Sequence, residues 1–198
     1  ECDMLRDWVR GGGALLLVAD HTPFGSAAES LAARFGVGMG KGYAFDRVAD
    51  GGVTTQLTFS RENGLLGDHS ITRGRRASEG IATVRSFTGQ SLSVPAGAAV
   101  LKRLGPNVRE AADTDNLDAE DAAGRGTATV GTAPGSRSVA AGGRAQGIAM
   151  AFGKGRVVVL GEAGMLSAQL VRYPDGREMR FGMNMPGNDN RQFALNVV

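Results

Sequence analysis

The chain is poor in cysteine: one residue in 198, Cys2. That excludes an intramolecular disulfide and any cysteine-built zinc site. It has no apolar run of the length a bilayer crossing needs, and no signal-peptide pattern. It has no marked charge excess, since 22 Lys and Arg stand against 20 Asp and Glu. A net charge of +2 is too weak to argue for nucleic acid or an anionic membrane. The basic stretch Arg73 to Arg76 is short, has no interleaved aromatics and reads as a solvated turn. Familiar catalytic signatures are missing as well. There is no His-Glu-x-x-His and no Gly-x-Ser-x-Gly. "GVGMGKGYAFD" fails as a phosphate loop, because Phe35 stands at the first-Gly position and Gly42 follows Lys41. The acidic stretch Glu110 to Asp121 fails as an EF-hand, with Leu117 at the fifth position and Asp118 where Gly is required. It reads as a solvated loop.

What is present points to a globular α/β chain. Hydrophobic residues make up 42% and charged residues 21%, and the length suits one domain with a real core. Met4, Leu5, Trp8 and Val9 fall at helical spacing, so a helix spans about 3–10 and stops at Gly11-Gly12-Gly13. Residues 14–19 form a continuous apolar run, expected as a central parallel strand covered on both faces. A helix over about 26–35 follows. Shorter strands are expected over 53–59, 81–87 and 99–104. Residues 146–152 and 156–161 read as a hairpin joined by Gly153-Lys154-Gly155. "AGMLSAQL" after Glu162 reads as helical. A last helix is capped by Asn188 or Asp189. Both ends look cut from something longer: the chain opens at a helix and closes in helical apolar rhythm.

Polar residues gather where strands end. Asp20 and His21 follow the first apolar strand, and Glu162 follows a late one. His69, the other of two histidines, sits beside Asp68 in a loop. In open α/β sheets ligands bind at the carboxyl ends of strands. Two imidazoles and a carboxylate (His21, His69, Glu162) could hold a divalent zinc or iron ion with open positions, which would acidify a bound water. His21 with Asp20 or Glu162 could instead be a metal-free general-base pair. The same groups could equally be turn and capping residues. Gln90, Gln169, Asn184 and Asn188 lie in or near loops and could line a pocket for a hydroxyl-rich molecule.

The segments "LRDWVRGGGALLLVADHTPFGSAAESLAARFGV", "GKGRVVVLGEAGMLSAQ" and "GMNMPGNDNRQFALNVV" resemble uncharacterised bacterial proteins of the DUF4350 and ThuA-like branch of the class I glutamine amidotransferase-like superfamily. The resemblance covers most of the chain and is weakest over about 45–140. It implies a flavodoxin-like three-layer sandwich with a mostly parallel sheet, in one domain over 1–198 that lacks an N-terminal strand and a C-terminal extension. It also favours an exported, periplasmic or secreted home, with a cytoplasmic one as the alternative. Asp20-His21 stands where amidotransferases carry the nucleophile elbow, and Glu162 lies where they place the catalytic histidine. Glutaminase activity is therefore disfavoured. The resulting expectation is a hydrolase acting on a small polar substrate, a carbohydrate derivative or ester, at Asp20, His21 and Glu162. The alternative is a non-catalytic ligand-binding or assembly module, and the assembly form of it would present an exposed apolar patch and a defined homo-oligomer.

Overall fold

A computed structural model describes residues 1–127 and 138–198. In chain order the first half holds α1 (Cys2–Arg10), β1 (Ala14–Val18), α2 (Phe24–Ala33), β2 (Tyr43–Arg47), β3 (Val53–Thr54), β4 (Thr58–Ser60), α3 (Ser70–Arg73) and β5 (Thr83–Arg85). The second half holds β6 (Ala99–Arg103), β7 (Arg109–Ala111), α4 (Thr114–Gly124), β8 (Ser138–Ala140), β9 (Ala145–Phe152), β10 (Gly155–Leu160), β11 (Leu170–Arg172), β12 (Glu178–Arg180) and α5 (Asn190–Val197).

The architecture corrects the expected flavodoxin-like parallel sandwich. The main sheet has the order β1-β10-β9-β6, and only β1 and β10 run parallel. The Gly153–Gly155 turn sends β9 back antiparallel to β10, and β6 is antiparallel to β9. A second sheet, β3-β2-β7-β8, is antiparallel throughout, and β4–β5 and β11–β12 are two-stranded antiparallel ribbons. Of these antiparallel pairs, β2–β3, β9–β10 and β11–β12 are local hairpins closed by short turns, which need no crossover helix, whereas β2–β7, β7–β8, β4–β5 and β6–β9 join strands distant in sequence.

β1 corrects a second expectation. It is not central: it lies at the edge of the main sheet, and Leu16 is 39% exposed. One face of that sheet carries Val9 of α1 and Ala28, Leu31 and Ala32 of α2 over Val157, Val159 and Ile148. The opposite face carries Ile71 of α3 and Phe193 of α5, together with Phe59 and Val84, over Val158, Leu160 and Ala149. The hairpin expected over 146–161 is present as β9 and β10.

Residues 110–121 are not a loop. Glu110 lies in β7, and Asp113 caps α4 by accepting from Asn116 N at 2.8 Å. After Glu162 the chain makes a single 3-10 turn, Gly164–Leu166, and then enters β11 rather than a helix. Asp189 does stand at the N-cap of α5, but its carboxylate accepts from Ala82 N and Thr83 N at 2.8 and 3.0 Å. It tethers the helix to the start of β5 instead of capping it.

Candidate functional site

The parallel pairing of β1 with β10 brings their carboxyl ends side by side, so Asp20 and Glu162 emerge from adjacent strands. Asp20 Oδ1 accepts from His21 N at 2.8 Å, and Oδ2 accepts from Ala163 N at 3.1 Å. The carboxylate therefore laces the end of β1 to the turn after β10. Glu162 is fully buried. Its Oε1 accepts from Phe87 N at 3.3 Å and from Met165 N at 2.8 Å, and Oε2 lies 3.1 Å from the same Met165 N.

His21 sits at the partly open rim. Its Nδ1 is 2.8 Å from the Thr22 carbonyl oxygen, which makes Nδ1 the protonated donor and leaves Nε2 as the basic nitrogen. Nε2 is 3.9 Å from Asp20 Oδ1. The ring stacks on Tyr43 with centroids 4.3 Å apart and meets Phe24 edge-on. Burial, then the charges of Asp20 and Asp113, push the Tyr43 hydroxyl above its usual range. A groove of about 620 Å³ opens beside Asp20, lined mainly by Leu17, Phe24, Ala27, Ala28 and Leu31.

Beneath this junction lies a residue that the sequence reading did not single out. Lys102 of β6 is completely buried. Its Nζ donates to Met165 Sδ at 3.0 Å and lies 5.5 Å from the centre of the Phe59 ring. Burial lowers its pKa to about 8, opposed by the negative charges of Glu162 and Asp20. Glu162 moves the other way: burial raises its carboxyl to about 7, opposed first by Lys102. The register of β6 against β9 shifts on both sides of Lys102, and such an irregularity re-aims a side chain. The available signal was the charged pair Lys102-Arg103 interrupting the apolar run "AAVLKRL", of which the structure buries Lys102 and exposes Arg103.

The remaining candidates do not converge on this point. Gln90 is buried as a strut: its Nε2 donates to the Ala19 and Asp20 carbonyls at 2.9 and 2.8 Å, and its Oε1 accepts from Lys41 N. Asn184 Nδ2 donates to Ala168 O, and Asn188 Nδ2 donates to Met185 O. Gln169 is exposed, and its carbonyl accepts from Phe181 N. His69 caps α3, its Nδ1 accepting from Ile71 N at 3.2 Å. It lines a hollow with Ala14, at the start of β1, whereas His21 follows the end of that strand. Six residues of extended chain, about 20 Å, separate Ala14 from Asp20. Among the described residues no three His, Cys, Asp or Glu side chains are grouped to hold a metal ion, so His21, His69 and Glu162 do not form the expected ligand set. None of the described helices is long and apolar enough to cross a membrane.

No family model matches the chain, and no curated protein does. A solved structure described as "mmIFT52 N-terminal domain" is similar, with a TM-score of 0.55 and 15% identity, over 100% of this chain and 70% of that one. At that identity the likeness concerns the fold alone.

Proposed function

We propose that this chain is a non-catalytic binding module and that Asp20, His21 and Glu162 form a structural joint at the carboxyl ends of β1 and β10. The observation that carries the reading is the use made of the two carboxylates. Each is occupied by backbone N–H donors, and Glu162 has no solvent access. A general acid or base must reach substrate, directly or through one water. Glu162 reaches neither from its buried position. The adjoining groove is lined mainly by apolar side chains, which suits binding better than polar turnover. Glutaminase chemistry has no nucleophile here, since the chain's one cysteine, Cys2, lies in α1 and not at an elbow.

The hydrolase reading stands second, favoured by one feature. His21 presents a basic Nε2 at a partly open rim with Asp20 3.9 Å away. The two readings separate in one experiment. Panels of p-nitrophenyl esters and glycosides are assayed with the wild type, Asp20→Ala and His21→Ala, alongside thermal unfolding. The joint predicts no turnover above buffer in any protein. It also predicts that Asp20→Ala loses about 1–3 kcal/mol of stability, because two part-buried amides lose their acceptor. Turnover by the wild type that His21→Ala abolishes would overturn the proposal in favour of the hydrolase.

A further inference from the structure

β1 is an edge strand without the usual protection of an edge. Sheet edges are commonly guarded by Lys, Pro, a bulge or a covering element, because unpaired N–H and C=O groups recruit further strands. Ala14–Val18 reads ALLLV and, among the described residues, pairs only with β10, without a register break. Arg156 N donates to Gly13 O, and Ala19 N donates to Leu160 O. In a parallel ladder alternate residues bond the same neighbour. Residues 13, 15, 17 and 19 therefore turn to β10, and Ala14, Leu16 and Val18 turn their N–H and C=O groups outward. Among the described residues nothing accepts or donates at those outward groups.

Two hollows accompany this edge on opposite faces of the sheet. One, about 620 Å³, touches Leu17, Val18 and Ala19 under Phe24, Ala28 and Leu31 of α2 and is apolar. The other, about 700 Å³, touches Ala14, Leu15 and Leu16 and carries His69, Arg75 and Arg156. Both arginines are exposed, and neither guanidinium has an ion-pair partner among the described residues. Side chains of a strand alternate between faces. A strand laid along β1 would direct one set of side chains to the apolar hollow and the other to the cationic one.

We propose that the β1 edge binds one extended strand of a partner polypeptide, apolar on one face and carrying carboxylates on the other. Backbone pairing with Ala14, Leu16 and Val18 would supply the attachment, the apolar face would fill the groove beside α2, and the carboxylates would meet Arg75 and Arg156. This is strand addition, in which main-chain bonds give affinity and pockets for alternate side chains give selectivity. It rests on the binding-module reading, and it names the partner's chemistry.

The test uses the purified 198-residue chain and a labelled peptide, VDVDVTVTV, with amide exchange read by NMR and affinity by fluorescence anisotropy. The peptide is expected to slow exchange at Ala14, Leu16 and Val18 at least ten-fold and to leave Leu15 and Leu17, already bonded to β10, unchanged. Arg75→Glu combined with Arg156→Glu changes only exposed side chains, and is expected to weaken binding at least ten-fold with an unaltered circular-dichroism spectrum. No added protection at the three outward amides would overturn the proposal. So would protection already present in the free protein and lost on dilution, which would assign the edge to a second copy. Hydrolytic turnover dependent on His21 would sink the binding-module reading without changing these amide measurements, so the two failures are distinguishable.

Discussion

A lysine inside an apolar strand costs free energy unless its ammonium is compensated. Lys102 has a thioether and an aromatic face at close range, with the charges of Glu162 and Asp20 acting on it as well. The Glu162 carboxyl, at about 7, lies above its ordinary 4.5, so the native state holds that proton more tightly than the unfolded chain does. Its contribution to stability is complete below pH 4.5 and is lost as pH rises through about 7. Lys102, at about 8, lies below its ordinary 10.5, so its burial penalty is present below pH 8 and is relieved as pH climbs toward 10.5. Stability is therefore expected to fall as Glu162 loses its proton and to recover as Lys102 loses its own, passing through a minimum between the two titrations. Urea unfolding from pH 5 to 10 should show this minimum in the wild type, and the Lys102→Met, Glu162→Gln double variant should lack it. At pH 7.5 Glu162→Gln alone should cost about 3–5 kcal/mol, because it strands a buried ammonium, and the double variant should recover most of that loss. A Glu162→Gln protein as stable as the wild type would show that the carboxylate does not compensate Lys102.

At the scale of elements, α1 is held against the β9–β10 turn by a close backbone approach. A Cβ on Gly155 would land on the Val9 and Gly13 carbonyl oxygens, and those atoms cannot swing aside as a side-chain tip would. Gly155→Ala should therefore displace α1 and destabilise the fold by about 2–4 kcal/mol, an overpacking cost at the upper end of the usual range. Trp8, the only tryptophan, reports the movement because its ring covers Gly13, where a Cβ would sit 2.6 Å from the indole. Its emission should shift in Gly155→Ala, and an unchanged spectrum with unchanged stability would refute the close approach. This element scale is also where the sequence was most and least legible. The β9–β10 hairpin could be read because its signal is local: two apolar runs around Gly-Lys-Gly. α4 was hidden because its acidic residues carry no apolar period, although Asp113 was a cap in plain sight. The rank of β1 was also hidden, since ALLLV reads alike in a central strand and an exposed edge. The same limit applies to the candidate site. Asp20 and His21 could be found from the abrupt end of an apolar run. The neighbourhood of Lys102, Glu162 and Asp20 could not, because it depends on strand order and on the broken register of β6.

Across the whole molecule, the main sheet couples two cores that share no helix. Ile148 and Val159 belong to the face beneath α1 and α2, while Ala149 and Leu160 belong to the face beneath α3 and α5. Each pair comes from the same two strands, β9 and β10, so neither core can dissolve without exposing the other's floor. The expected behaviour is a single cooperative transition. Leu160 and Ile148 are both fully buried, on opposite faces, and truncation of either to alanine should cost about 2–5 kcal/mol. The informative case is Leu160→Ala, on the face away from Trp8. If the sheet couples the cores, the midpoint followed by Trp8 fluorescence should fall by the same amount as the midpoint followed by far-ultraviolet circular dichroism. A Trp8 midpoint that stays at the wild-type value while circular dichroism falls would mean that the two faces unfold separately. The joint of Asp20 and Glu162 at the end of β1 and β10 would then have to be assigned to one core alone.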